Sequence, residues 1–164
     1  MRRLVTVVRK SDVKQERMID RIILDHNGRH KRRIAVTSEK GSTFLLDLEK
    51  ATILLDGDAL QLEDGNLVLV NAAPESLLQI RADNPLRLLK IAWHIGNRHT
   101  PAEITQDAIY IQDDHVLAEM VRGQGCVIDY VSRPFQPESG AYSHNEHGHS
   151  HVHSHGHGHN HSHH

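Results

Sequence analysis

A single cysteine, Cys126, stands in 164 residues, which excludes an intramolecular disulfide and any paired-cysteine zinc or redox motif. Aromatic residues make up only 4%, and an RNA-recognition reading lacks the stacking aromatics it needs on its central strands: Leu77 to Arg81 has none and Cys126 to Val131 only Tyr130. No sign of charge dominates: 19 Lys and Arg face 21 Asp and Glu, so bulk electrostatics offers no reason to bind nucleic acid or a membrane surface. No stretch approaches the roughly 18 consecutive apolar residues of a membrane span, and Met1 to Lys10 lacks the apolar run of a secretory signal. The expected location is therefore cytoplasmic. HExxH, a GxSxG elbow and a Gly-rich phosphate loop are all missing, so the chain is not expected to be an enzyme, and any nucleotide hydrolysis belongs to a partner.

What the chain has in excess is histidine. Sixteen are present and eleven of them fall between His144 and His164, leaving an ordinary five in the first 143 residues. The eleven are His144, His147, His149, His151, His153, His155, His157, His159, His161, His163 and His164, interspersed with Gly, Ser, Asn and Val. An expression tag is normally an unbroken run, whereas alternation on a flexible strand lets imidazoles gather round one ion in many ways, so this reads as a native metal-binding tail. Imidazole serves Zn, Cu, Ni and Fe alike, and spacing does not choose among them. Protons compete for the same nitrogens, so tail capacity is expected to collapse between about pH 7 and pH 5. Without the tail the apolar fraction rises from 38% to about 43%, enough for a folded body.

The body divides by pattern. Short apolar runs at Leu4 to Val8, Met18 to Leu24, Ile34 to Thr37, Thr43 to Leu48 and Leu67 to Val70 read as strands, making residues 1–72 an all-β domain. Asn27-Gly28 and Asp64-Gly65 lie between such runs and predict two tight hairpins with positive φ angles. Asn71 to Glu75 breaks the pattern as a linker. Residues 76–134 then read βαββαβ: strands at Leu77 to Arg81, Ala102 to Thr105, Ala108 to Gln112 and Cys126 to Val131, with helices at Pro85 to Ile95 and His115 to Arg122. Asn84 before Pro85 and Asp113 or Asp114 before His115 are capping residues, and Gly96 and Gly123 are expected terminators. The predicted class is α+β, with the second domain a split-βαβ, ferredoxin-like unit. From residue 135 to 164 the composition cannot offset chain entropy, and disorder is expected. Residues 1–40 carry twelve Lys and Arg against five Asp and Glu, the remainder seven against sixteen, so the first domain is the basic one.

Among the five body histidines, His26 and His30 flank Asn27-Gly28 and are expected to face solvent. His94 shares a polar stripe with Arg87 and Lys90, opposite Leu89, Ala92 and Trp93, which are expected to be the apolar side of the helix. His99 lies past Gly96 and before Pro101, which biases Thr100 to extended geometry, so it should project from a loop, where ligands are commonly held. His115 follows Asp113-Asp114 at a helix start, where the carboxylates would favour a cation. Cys126 reads as a small core hydrophobe.

Trp93-His94-Ile95-Gly96-Asn97-Arg98-His99, followed by Asp114-His115-Val116-Leu117, resembles the urease accessory protein E family of nickel metallochaperones. The order of β domain, ferredoxin-like domain and His-rich terminus matches as well, so the resemblance covers the whole chain. It implies a homodimer in which His99 meets its symmetry mate and binds Ni(II), with His115 and tail imidazoles as supplementary ligands. Zn(II) or Cu(II) would compete, Cu(II) more strongly by intrinsic affinity. It further implies transfer to apo-urease with its accessory proteins, among them a GTPase. Family members often carry a further His two places before the position of His115; here that residue is Asp113. The alternative reading is a His-rich nickel or zinc storage or detoxification protein, in which the tail is the whole function.

Overall fold

The computed structural model describes residues 1–139. Ten strands and two helices form two sheets. The first sheet contains β1 (Arg2–Val8), β2 (Met18–Leu24), β3 (Arg33–Thr37), β4 (Thr43–Asp47), β5 (Ala59–Leu62) and β6 (Leu67–Ala72) in the order β2-β6-β5-β1-β4-β3. Alternation of apolar residues along these strands builds one core from Leu4, Ile22, Phe44, Leu46, Leu60, Val68 and Val70, all essentially without solvent contact. Beyond β3, Glu39 donates its backbone N–H to the Arg21 carbonyl on β2, drawing the two ends of the sheet together.

The two expected hairpins diverge. Asp64-Gly65 joins the antiparallel pair β5 and β6, with Gly65 at φ 88° supplying the left-handed residue. Asn27-Gly28 makes no hairpin. Asn27 has φ −62°, the Asp25 carboxylate accepts from the Gly28 N–H at 2.7 Å, and residues Gly28–His30 close a 3-10 turn. Strand β2 instead pairs in parallel with β6, and β3 pairs with β4, so the turn connects strands at opposite edges of the sheet. Its effect is to drive Arg29 inward, where the side chain is 1% exposed.

The expected linker at Asn71 to Glu75 is also mostly strand: β6 runs to Ala72 and β7 (Pro74–Arg81) begins two residues later. The second sheet adds β8 (Glu103–Ile104), β9 (Ile109–Gln112) and β10 (Val127–Pro134) in the order β10-β7-β9-β8. Helix α1 (Pro85–Asn97) follows β7, and α2 (His115–Gly123) follows β9, which is the βαββαβ order read from the sequence. Both helices pack Ile91, Ile95, Leu117, Ala118 and Val121 onto Leu78, Ile80, Ile109 and Ile111. Cys126 lies in that core as expected, and burial pushes its thiol pKa up, away from reactivity. Leu77, Ala108, Tyr110 and Phe135 form a separate cluster. Phe135 is fully buried, Gln136 and Glu138 are hydrogen-bonded through their backbones, and so residues 135–138 belong to the folded body rather than to a disordered tail.

Among the described residues no helix is long and apolar enough to cross a membrane.

Candidate metal centre

Helix α1 starts as its sequence dictates: the Asn84 side chain accepts from the Arg87 N–H at 2.8 Å and Pro85 occupies the first turn. Its end is less expected. Gly96 is inside the helix, and the chain leaves it through His99, whose φ of 56° is the one left-handed non-glycine conformation among the described residues. The His99 N–H donates to the Gly96 carbonyl at 3.0 Å and the Thr100 N–H to the Ile95 carbonyl at 3.4 Å. These two bonds are the paired closure in which glycine ordinarily takes the left-handed place. An L-residue there costs roughly 1–2 kcal/mol, which histidine tolerates better than bulkier or branched side chains. The imidazole is exposed, carried off the helix on a stiff hydrogen-bonded corner.

The face of α1 that looks outward is apolar. Leu86, Leu89 and Trp93 are 60%, 68% and 65% exposed at spacings of three and four residues, while Ile91 and Ile95 face the core. The expectation that Leu89 and Trp93 line the buried side is therefore corrected; they form a stripe that none of the described residues covers. The Trp93 and His94 rings meet edge to face at 5.1 Å, and His94 is half-buried beside the stripe.

His115 is the first residue of α2 and is exposed. The cap is Asp114, whose side chain accepts from the Leu117 N–H at 3.0 Å; Asp113 is exposed. Strand directions place His99 and His115 at one end of the second sheet, because β7 and β8 run parallel and β9 and β10 oppose them. The end of α1 and the start of α2 share that end with the junction to the first sheet. Proximity stops short of a closed site: among the described residues no three His, Cys, Asp or Glu side chains gather where they could hold one ion.

His30 is exposed as expected, but His26 is not. Its ring is half-buried edge-on to Phe135 with centroids 5.4 Å apart, and burial, then the neighbouring Arg29, lowers its pKa below the ordinary imidazole value. No sequence signal marked this contact, which depends on residues more than a hundred positions apart. The imidazoles expected from His144 to His164 lie outside the described residues.

Comparison with known proteins is consistent along the chain. The model for the UreE urease accessory protein N-terminal domain matches residues 2–73, and that for its C-terminal domain matches residues 75–163. A urease accessory protein UreE of Azorhizobium caulinodans is 54% identical over 149 residues, covering 90% of this chain and 72% of that protein. One from Rhodopseudomonas palustris is 51% identical over 129 residues, covering 79% of this chain and 60% of the relative. One from a Chelativorans strain is 46% identical over 134 residues, covering 82% and 85%. The chain belongs to the UreE family of urease accessory proteins, with a role in urease maturation rather than an enzymatic activity of its own.

Proposed function

We propose that this protein is a nickel metallochaperone that works as a homodimer, binding Ni(II) between the His99 side chains of two protomers and passing it to apo-urease. The observation that carries the reading is the position of His99: a solvent-exposed imidazole on a strained corner, at the end of the helix whose outer face is the uncovered stripe Leu86, Leu89 and Trp93. Burying side chains of this size contributes roughly 1.5–3 kcal/mol each, so pairing two copies through α1 is favourable and brings two helix ends together. One imidazole is a poor site alone. A two-fold axis doubles the ligand number with no further sequence.

We read residues 76–134 as the ferredoxin-like metal and dimerisation domain, and residues 1–72 as the domain that meets the urease machinery, including the accessory GTPase. His115, at the same end of the sheet, supplies a supplementary ligand, as do the tail imidazoles. What supports the tail's part in this is that the Glu138 N–H donates to the Ala102 carbonyl at 2.8 Å, which holds Glu138 against a residue three positions after His99. Capture by the tail, handover to the His99 pair and ligand exchange onto a partner form the sequence of steps. Imidazole sites with unfilled positions suit release, because an incoming ligand binds before the outgoing one leaves.

Nickel titration of a chain ending at Tyr142 tests this. One ion per dimer is expected, lost in His99→Ala. Unchanged stoichiometry in that variant counts decisively against the reading, and a truncated chain that binds nothing favours storage by the tail instead.

A further inference from the structure

Between the two sheets lies a buried cation with an unusual set of partners. The Arg29 guanidinium donates to the carbonyls of Leu24 and Leu54 in the first domain, at 3.3 and 3.2 Å, and to the carbonyl of Phe135 beyond β10. No carboxylate among the described residues pairs with it within 4 Å. Phe135 itself is fully buried, with the His26 ring against it. From Phe135 the chain continues as a strap: the Gln136 side chain accepts from the Asp56 N–H at 2.9 Å, the Gln136 N–H donates to Glu103 at 2.8 Å, and the Glu138 N–H reaches Ala102. Four residues thus tie the first domain to the edge of the second sheet, beside the His99 corner.

We propose that Arg29 is a positioning residue for the tail: its grip on the Phe135 carbonyl fixes the strap, and the strap fixes the root of the histidine-rich segment next to His99. The physical reason is that a buried guanidinium with no carboxylate in direct contact, and with Glu75, Asp56, Asp25 and Glu103 acting on it only from beyond contact, leans on its carbonyl acceptors for hydrogen bonds. Any rearrangement that separates the domains must therefore release Phe135 or leave guanidinium N–H groups without an acceptor. Movement of the first domain, as on engaging a partner, is coupled to the strap that Glu138 holds against Ala102, with no ligand in contact with both. This inference rests on His99 being a nickel ligand, but the strap can be tested apart from the metal.

Trp93 is the single tryptophan, so a full-length chain carrying Cys126→Ser and Ser139→Cys, labelled with an acceptor at residue 139, reports the distance from α1 to the strap by energy transfer. Arg29→Met is expected to lower and broaden the transfer, and Arg29→Lys to restore part of it. Should Arg29→Met fail to fold cooperatively, Glu138→Pro removes the far anchor without touching a buried charge and is expected to give the same loss. In unlabelled protein, the nickel affinity of the full chain is expected to fall about tenfold in Arg29→Met through loss of effective concentration, whereas a chain ending at Ser139 binds nickel equally in both backgrounds. Transfer unchanged in the folded Arg29→Met or in Glu138→Pro overturns the strap. Transfer that falls while the full chain's nickel affinity stays constant overturns its link to the tail. If the chain ending at Ser139 binds no nickel in either background, the His99 reading fails and the transfer result alone decides the strap.

Discussion

The two helices of the second domain end in the same hydrogen-bonded closure, yet with opposite choices of residue. At the end of α2 the Gly125 N–H donates to Arg122 at 2.9 Å and the Cys126 N–H to Val121 at 3.3 Å, and the left-handed place, at φ 82°, is taken by glycine. At the end of α1 the equivalent place, at φ 56°, is His99. Gly125 follows the steric rule, and a Cβ there would meet the Arg87 guanidinium at 3.2 Å. His99 departs from the rule in an exposed position where no packing demands it. Strain retained without a packing reason points to use of the side chain.

Exchanging the two choices sharpens the contrast most. His99→Gly is expected to remove the nickel ion held by a dimer of the chain ending at Tyr142, and at the same time to stabilise the fold by about 1 kcal/mol. Calorimetric titration and urea unfolding of the same sample read both effects, and a variant that is less stable breaks the comparison. The reverse change, Gly125→His, is expected to cost roughly 1–2 kcal/mol, with the displacement of Arg87 added, and to create no nickel site. Its urea midpoint and nickel stoichiometry are the measurements. Next come the helix starts: Asn84→Ala and Asp114→Ala should each cost about 1 kcal/mol through loss of a capping acceptor. Only Asp114→Ala disturbs the frame of His115, so it alone should alter supplementary metal binding.

The smallest effect concerns the junction at the end of the second sheet that the His99 corner shares. His26 faces Arg29, His30, Glu75 and Asp25, and its lowered pKa means that the docked state favours neutral imidazole. The contribution is complete above the ordinary value of 6.5 and is lost as pH falls below it, because the undocked ring takes up a proton that the docked ring resists. His26→Phe, retaining an aromatic edge against Phe135, should shrink the difference in urea midpoint between about pH 7.5 and pH 5.5 in metal-free protein. An undiminished difference assigns the acid sensitivity elsewhere.

Most of the architecture was legible because local signals and tertiary pairing agreed. Asn84-Pro85 and Asp114 began the helices where they were expected to, and Asp64-Gly65 turned the hairpin. Where local signals misled, a distant partner had decided the outcome. Asn27-Gly28 carries a hairpin signature, but β6 claims β2 from 45 or more positions away and the Asp25 carboxylate closes a helical turn instead. Leu89 and Trp93 read as core because apolar residues at helical spacing look the same in sequence whether they face a sheet or lie exposed. Gly96 read as a terminator because glycine usually is one; nothing in residue type announces that a histidine two places before Pro101 takes the left-handed turn.

The Arg29 clasp also bears on the order in which this polypeptide can mature. The guanidinium and its last acceptor are 106 positions apart, so the first sheet emerges during synthesis with a charged group still awaiting an acceptor from the far end of the second. Domains commonly fold as they are made, and contacts of such long sequence separation form late. The first domain of this chain is thus completed by a residue that follows the last strand of the second, and the two halves become native together.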